Sequence, residues 1–403
     1  MKNTFRSLAG FNYRVWAGGA IVSNVGTWMQ RTAQDWLVLT ELTHNNATAV
    51  GIVMACQFGP QLFLLPLTGY VADHFDRRKV LLATQSAMGL LALGLGLLTV
   101  THLVQLWQVY GFALGLGCAA AFDAPARQTF VAELVDEAHL SNAVGLNSTS
   151  FNAARMIGPA VAGVMISAVG TGWVFLVNAL SFVAVLISLS CLRVHELHVK
   201  ERAKRGRGAL VEGFRYVWGR SDLKAALLML FLVGTFGLNF PIFISTMSVS
   251  VFHKGAGEYG VLSSVMAIGS VTGALLAAGR PTPRRSILTV AALVFGVGLA
   301  LAALMPDYVL FGLVLVMIGV AAQTFTTSAN TIMQLSTEPV MRGRVMAIFM
   351  AIALGTTPIG APVVGWVADH YGPRWGLGVG AAAGLMAAFV GIAYLFRTSR
   401  QTA

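Results

Sequence analysis

Twelve stretches of this chain are each long and apolar enough to cross a lipid bilayer as a helix, and nothing else in the sequence constrains the fold so tightly. They run roughly over 13–39, 47–71, 79–101, 103–122, 141–168, 172–192, 224–251, 258–279, 286–305, 308–330, 345–368 and 376–396. A spanning helix needs about 20 mostly apolar residues, because in hydrocarbon every backbone N–H and C=O must be satisfied within a helix or a closed barrel. Barrel strands would read instead as alternating segments of roughly ten residues. Only 11% of the 403 residues are charged and 56% are hydrophobic, whereas soluble domains carry about 25% charged residues. An all-α integral membrane protein is therefore expected. The first run carries Arg31 and Asp35 and is too long for the apolar core of a cleaved leader, so MKNTFRSLAGFNYR reads as the approach to the first span.

The formal charge of +11 reads as a topology signal. Basic residues fall at the N-terminus, in Arg77-Arg78-Lys79, at Arg127, in the 6–7, 8–9 and 10–11 loops and at the C-terminus, whereas the opposite loops hold only Lys254 and Arg374. The positive-inside rule then puts both termini in the cytoplasm of a multi-pass protein, expected in a bacterial inner membrane. No basic patch interleaved with aromatics is present, so a nucleic-acid partner is not expected. Cys56, Cys118 and Cys191 fall in apolar runs without pairing spacing and read as small buried side chains.

The longest polar interruption, Arg193 to Asp222, divides the spans six and six. Three parts follow: a six-helix bundle over 1–192, a basic linker over 193–222 and a second bundle over 223–403. Within the linker ALVEGFRYVW has the spacing of a short amphipathic helix able to lie on a membrane face. His195 and His198 lack a third ligand, so no metal is expected. Two such halves, related by a pseudo-two-fold axis, are the layout of carriers built from repeats. GYVADHF at Gly69–Phe75 and GWVADHY at Gly365–Tyr371 echo each other at the ends of the second and eleventh runs, on opposite membrane sides, as inverted repeats would place them.

Runs nine and twelve are almost wholly apolar and can face lipid, whereas one, four, five, seven and ten carry amides and hydroxyls that need protein or water. In the first, Asn24, Trp28, Arg31 and Asp35 share a helical face, with Thr27 and Gln34 beside them. The fourth offers Gln105, Gln108 and Tyr110, the fifth Asn152, the seventh Asn239 beside Pro241, and the tenth Gln323, Thr327, Asn330 and Thr331. Every third helix from the first thus lines a polar path. Trp28, Tyr110, Phe231, Phe236, Phe240 and Phe243 add the aromatic part of a mixed cavity suited to varied amphipathic ligands.

At these residues the chain resembles the major facilitator superfamily over essentially its whole length. The loop after the second run resembles the superfamily's motif of Gly, three residues, Asp and a basic pair through Gly69, Asp73, Arg77 and Arg78, with His74 and Asp76 departing from it. The fifth run resembles the antiporter motif of spaced glycines through Gly145, Gly158, Pro159 and Gly163, with Ala154 and Ala162 at two glycine positions. AAFDAPARQTFVAEL, FNAARMIGPAVAG and RGRVMAIFM resemble the branch that holds the enterobactin exporter and related efflux proteins. The resemblance implies two six-helix bundles around a central cavity that opens alternately to either side.

It also implies a cytoplasmic gate. Asp73 would face the start of the eleventh span, where the helix dipole and Arg342 or Arg344 favour a carboxylate, and Arg77 would reach Asp123. For Asp369 and His370 a solvated turn at Gly372-Pro373 is preferred to a matching outer clamp. Asp35 is the one acid well inside a run and can pair with Arg31 at i,i+4 spacing, as a proton carrier or as a structural ion pair. Arg155, near the middle of the fifth run, would cost about 2.5 to 3.5 kcal/mol alone at bilayer centre. It either fixes an anionic substrate group, tunes a neighbouring acid, or is satisfied by backbone carbonyls. The drug antiporters' span-four arginine would align near Gly111, where no base stands.

No P-loop, nucleophile elbow, HExxH or paired-carboxylate constellation is present, so neither direct ATP drive nor enzymatic activity is expected, and no cofactor. The expectation is a proton-coupled exporter of a small amphipathic drug or siderophore-like metabolite, acting as a monomer in the bilayer. An uptake carrier, a lipid flippase and a non-transporting sensor are the alternatives.

Overall fold

The computed structural model describes residues 5–198, 209–278 and 285–402, and every regular element among them is helical. The chain begins with α1 (Phe11–Trp36), which loosens into a wider π turn over Leu37–Leu42. It continues through α2 (Ala47–Phe63), α3 (Leu65–His74), α4 (Arg77–Val100), α5 (Leu106–Phe130), α6 (Leu140–Val169) and α7 (Thr171–Ser190). After the linker come α8 (Ala209–Gly219), α9 (Ser221–Leu232), α10 (Phe240–Thr246), α11 (Ala256–Ala278), α12 (Arg285–Leu304) and α13 (Tyr308–Leu335). The last three are α14 (Pro339–Gly355), α15 (Thr357–Tyr371) and α16 (Pro373–Thr402).

Proline explains the interruptions. Pro66 follows the break at Leu64 between α2 and α3, and Pro358 follows the break between α14 and α15. Each lacks the N–H that would continue the i→i−4 ladder. Pro241 sits in the first turn of α10, between two π segments, Val233–Gly237 and Met247–Val251. The single apolar run 224–251 is therefore four helical pieces in sequence.

Ten helical stretches among the described residues are long and apolar enough to cross a membrane, and the chain is a multi-pass membrane protein. Two expected spans fall outside that set for different reasons. The amides, Arg31 and Asp35 make α1 too polar, and α2 has only 17 residues before the proline break. The helix α5 runs on to Phe130, beyond the apolar run that stops at 122, so Asp123 and Arg127 are helical. Asp35 is thus not the one acid inside a membrane helix: Asp123 is a second, also buried. Cys191 lies just past α7 and is exposed, unlike the buried cysteine expected there.

The chain forms two compact units. One comprises Met1–Leu42, Gly59–Lys204 and Ala256–Ser264; the other comprises Thr43–Phe58, Arg205–Gly255 and Val265–Ala403. Each unit takes in a segment from beyond the linker: the first turns of α11 join the first, and most of α2 joins the second.

In the first unit α1 packs on α6 and α7, and α4 packs on α5 and α7. Gly19 and Gly26 of α1 lie directly against Ser188 and Ser181 of α7. Small residues at such contacts let helix backbones approach, which is how helices associate where no hydrophobic force separates them from lipid. At the basic-loop end Trp16, Phe130, Phe182 and Leu81 form a core, with Trp16 edge-on to Phe130 at 5.5 Å. The buried Tyr13 hydroxyl donates to the Ala143 carbonyl at 2.8 Å. The start of the linker docks here too: the Asn12 amide exchanges two hydrogen bonds with the Arg193 backbone, and the His198 N–H donates to the Glu133 carbonyl at 2.8 Å.

In the second unit α12 packs on α13 and α16 around Phe295, Phe311 and Phe325. The amphipathic α8 lies on α14, burying Val217 and leaving Phe214 and Trp218 exposed.

Candidate functional site

In the first unit a chain of polar side chains links α1, α4 and α5. The Asp123 carboxylate accepts from Gln85 Nε2 at 2.6 Å, Thr84 Oγ1 at 2.9 Å and Arg127 Nε at 3.0 Å. Arg127 also donates to Asn24 Oδ1 at 3.1 Å and lies over the Trp16 ring. An ionised pair taken out of water is tolerated only when its remaining lone pairs and protons are satisfied, and these partners satisfy them. Two expectations are corrected. Arg77 pairs with Glu133 and not with Asp123, because α5 continues far enough for Arg127, one turn on, to take that carboxylate. Asn24, expected in the polar path, is held by Arg127.

The basic loop is anchored by other means as well. Arg78 Nε donates to the Leu189 carbonyl at 2.8 Å, one of the acceptors left open at the end of α7. Asp76, which departs from the resembled motif, caps α4 by accepting from the Lys79 N–H at 3.0 Å. The expected gate positions Gly69 and Asp73 lie outside what is described of side-chain surroundings. Arg344 pairs with Glu212 of α8 at 2.8 Å, so the linker helix, unforeseen in that role, takes one of the two expected gate arginines; Arg342 is exposed. Arg220 grips the buried Asp222 through two parallel bonds, Nε–Oδ1 at 2.9 Å and Nη2–Oδ2 at 2.8 Å, and also donates to the Ser336 carbonyl. That hydrogen bonding to Asp222 raises the Arg220 pKa further above its ordinary value.

The middle of α1 carries the cluster of most chemical interest. The Trp28 ring has the Arg31 guanidinium 5.0 Å from its centroid, the Arg155 guanidinium of α6 at 5.7 Å, and Phe151 edge-on at 5.8 Å. Gly158 creates this arrangement: a Cβ there would fall 2.5 Å from Trp28 Cβ, so α6 meets α1 at this turn and Arg155, one turn earlier, comes over the ring. Gly163 likewise meets the Ala256 carbonyl, and the Pro159 carbonyl faces Gly260, whereas Gly145 has open space around it and no part in the packing. Asp35, 6% exposed, is within coulombic reach of Arg31 and accepts no hydrogen bond among the described residues. Gln34 is fully buried, and neither of its amide atoms has a partner among the described residues. Trp36 stacks on Tyr259 at 5.8 Å. Asn152 bonds back to the Ser148 carbonyl, and Gln108 closes a capping box with Gln105 at the start of α5, a structural use in place of the expected path. Tyr110 is half-buried.

In the second unit Gln323, Thr327, Asn330 and Thr331 form one half-buried stripe on α13, with Gln323 Nε2 donating to Thr327 Oγ1 at 3.1 Å and Asn330 accepting from Gln334. Asn239 is buried; its amide nitrogen donates to the Thr235 carbonyl and its oxygen has no partner among the described residues. Phe236 is half-buried, but Phe240 and Phe243 are core residues, Phe240 edge-on to Phe295 at 6.2 Å. Those two do not line an open path: Phe240 packs on Phe295 of α12, and Phe243 packs on Phe240 and beside Gly380 of α16.

Asp369 overturns the expected solvated turn. Its carboxylate accepts from the Ala47 N–H at 2.6 Å and the Thr48 N–H at 2.8 Å, capping α2 across a separation of 322 residues. Gly365, one turn earlier on α15, lies against the Ala47 carbonyl and brings the two helices together. A cavity of about 580 Å³ beside this cap is lined by His44, Asn45, Thr246, Ser250 and His370 among others.

A helical membrane protein that keeps two arginines over one tryptophan in mid-helix, with an acid near one of them, has the makings of a carrier, since charge within a membrane helix is retained for pathways. The match to the transmembrane secretion effector family covers residues 4–402, and the chain belongs to that family, within the major facilitator superfamily of transporters. It is 27% identical to the Staphyloferrin A transporter of Staphylococcus aureus, over 86% of this chain and 87% of that one. It is 27% identical to the multidrug efflux pump Tap of Mycolicibacterium fortuitum, over 88% of each chain. Among solved structures it resembles a POT family transporter in complex with 5-aminolevulinic acid, with a TM-score of 0.78 at 12% identity, covering 98% and 97% of the two chains. The nucleoside transporter NupG gives a TM-score of 0.77 at 15% identity, covering 96% and 99%. Identities this low speak for the fold alone.

Proposed function

We propose that this chain is a proton-coupled exporter of a small amphipathic compound, a drug or a siderophore-like metabolite. It works by alternating access between two six-helix bundles related by a pseudo-two-fold axis, with twelve spans and both termini in the cytoplasm of a bacterial inner membrane. Its likeness to the multidrug efflux pump Tap supports export, and its likeness to the Staphyloferrin A transporter supports a siderophore-like cargo. The asymmetry of basic loops supports the orientation. The contacts of Arg77 with Glu133 and of Arg78 with α7 support a closing role for the Gly69–Arg78 loop.

The observation that carries the reading is Asp35. Asp35 is buried, accepts no hydrogen bond among the described residues, and has the guanidinium of Arg31 one turn away. Desolvation and a cation one turn away pull such a group in opposite directions, so a modest rearrangement around it switches its proton occupancy. Asp35 carries the proton, Arg31 responds to its charge, and Arg155 completes the set.

Reconstituted in proteoliposomes, the Asp35→Asn protein retains substrate binding and loses export driven by a pH gradient. Gradient-driven export at the wild-type rate in Asp35→Asn would refute proton carriage by this residue.

A further inference from the structure

We propose that the carried compound is an amphipathic organic anion, its anionic group seated on the Arg155 guanidinium with Arg31 alongside and its apolar body against Trp28 and Phe151; this rests on the transport reading above. Two guanidinium groups lie over one ring, at 5.0 and 5.7 Å, close enough to repel each other. One carboxylate, Asp35, stands within reach of Arg31. Among the described residues two cations face one anion there, so the cluster is one anion short.

Arg155 is where the deficit is felt. It makes no hydrogen bond or ion pair among the described residues, and the Trp28 ring is its partner. A guanidinium offers five N–H donors in a planar fork. A cation–π contact is worth about 0.5 to 2 kcal/mol, short of the roughly 2.5 to 3.5 kcal/mol that a lone arginine costs at the bilayer centre. The side chain is half-buried, not sealed, so its donors can be reached. A carboxylate fits that fork with two parallel bonds. Beside it Phe151 is 46% exposed and edge-on to Trp28, which gives an apolar wall for a ring or an alkyl chain. A cationic compound would meet like charge at the same place, and such juxtapositions exclude partners more strongly than they are offset by apolar contact.

The arrangement is built by the backbone. Gly158 is the only residue type that lets α6 approach Trp28 this closely, and it fixes Arg155 over the ring from one turn away.

Two dyes sharing a xanthene ring provide the test: fluorescein, an anion, and rhodamine 6G, a cation. Their binding to the full chain is read by fluorescence anisotropy in phosphatidylcholine nanodiscs, where no anionic lipid competes. Fluorescein should bind at least about tenfold more tightly than rhodamine 6G, the factor that about 1.4 kcal/mol of a charge-assisted contact provides. Arg155→Gln should remove that preference and Arg155→Lys should restore most of it, with thermal unfolding showing both variants folded. Rhodamine 6G binding as tightly as fluorescein, neither dye binding, or a preference that survives Arg155→Gln would each overturn the proposal. Vesicles under a pH gradient separate the two readings. Pumping of both dyes without charge preference keeps the exporter and discards the anion seat. Arg155-dependent fluorescein binding without gradient-driven movement keeps the seat and discards the exporter.

Discussion

Replacing Asp369 by Ala removes a helix cap supplied from the far end of the chain, and its cost can be worked from the geometry. Ala47 and Thr48 are the first residues of α2, whose N–H groups have no acceptor within the helix. Both donate to Asp369. Loss of a capping side chain costs about 0.5 to 2 kcal/mol, and loss of negative charge at a helix N-terminus adds about 0.3 to 1 kcal/mol. Asp369 is exposed, so water screens the charge and takes over part of the hydrogen bonding, which keeps the total near the middle of that range. Ala47 is buried, so its N–H is the harder one to satisfy. About 2 kcal/mol corresponds to roughly 30-fold easier local opening. Amide hydrogen exchange, followed by mass spectrometry on the purified protein, reads this directly: a peptide covering the start of α2 should exchange roughly 30-fold faster in Asp369→Ala, with peptides from α12 unchanged. Asp369→Asn keeps one acceptor and loses the charge, so it should fall in between. If the α2 peptide of Asp369→Ala exchanges at the wild-type rate, the cap carries no load and the reasoning fails.

Glu133→Gln leaves the partly buried Arg77 with a neutral partner and should cost about 2 to 3 kcal/mol by thermal unfolding; a cycle with Arg77→Met should show coupling above about 1 kcal/mol, and additive losses would contradict the pairing. Arg220→Gln strands the buried Asp222, with an expected loss of about 2 kcal/mol, below the value for a sealed pair because Arg220 is 39% exposed. Gly158→Ala forces α6 away from Trp28 and should lower thermal stability by about 1 to 3 kcal/mol, whereas Gly145→Ala, with open space around it, should be nearly neutral. Asp136 accepts a hydrogen bond from His139 that holds its carboxyl below the ordinary 3.8. A depressed acid stabilises the turn before α6 fully above pH 3.8 and loses that contribution as pH falls through the lower folded value; His139→Ala should move the Asp136 titration, followed by carbon-13 NMR, back toward 3.8.

Much of the architecture was legible because lipid imposes one rule everywhere. A run of about 20 apolar residues has nothing to become but a helix, so the runs anticipate the helices, with the proline breaks added by a rule equally local. Two arginines and an acid on α1 and α6 stood out for the same reason: charge in hydrocarbon is too costly to be incidental. Other expectations failed where hydropathy stops carrying information. Hydropathy ends the fourth run at 122, because Asp123 and Arg127 resemble a loop in sequence, whereas in the helix each neutralises the other. Gln105 and Gln108 looked like cavity lining, yet glutamines three apart at a helix start are also a capping box, and the competition is decided by the first turn's N–H groups. Asp76, ahead of Arg-Arg-Lys, has the form of an N-cap in the sequence itself.

Residue order alone thus determined what the solvent dictates: that this is a helical membrane protein, where its helices lie, and which charges are too expensive to be accidental. Tertiary structure decided who meets whom. Arg77 chooses Glu133, Arg344 chooses Glu212, Arg155 chooses the face of Trp28, and Asp369 reaches back 322 residues to cap α2. Such choices depend on distances of a few ångströms between helices remote in sequence, set by where glycines let backbones touch, and hydropathy read along one dimension contains no measure of that separation.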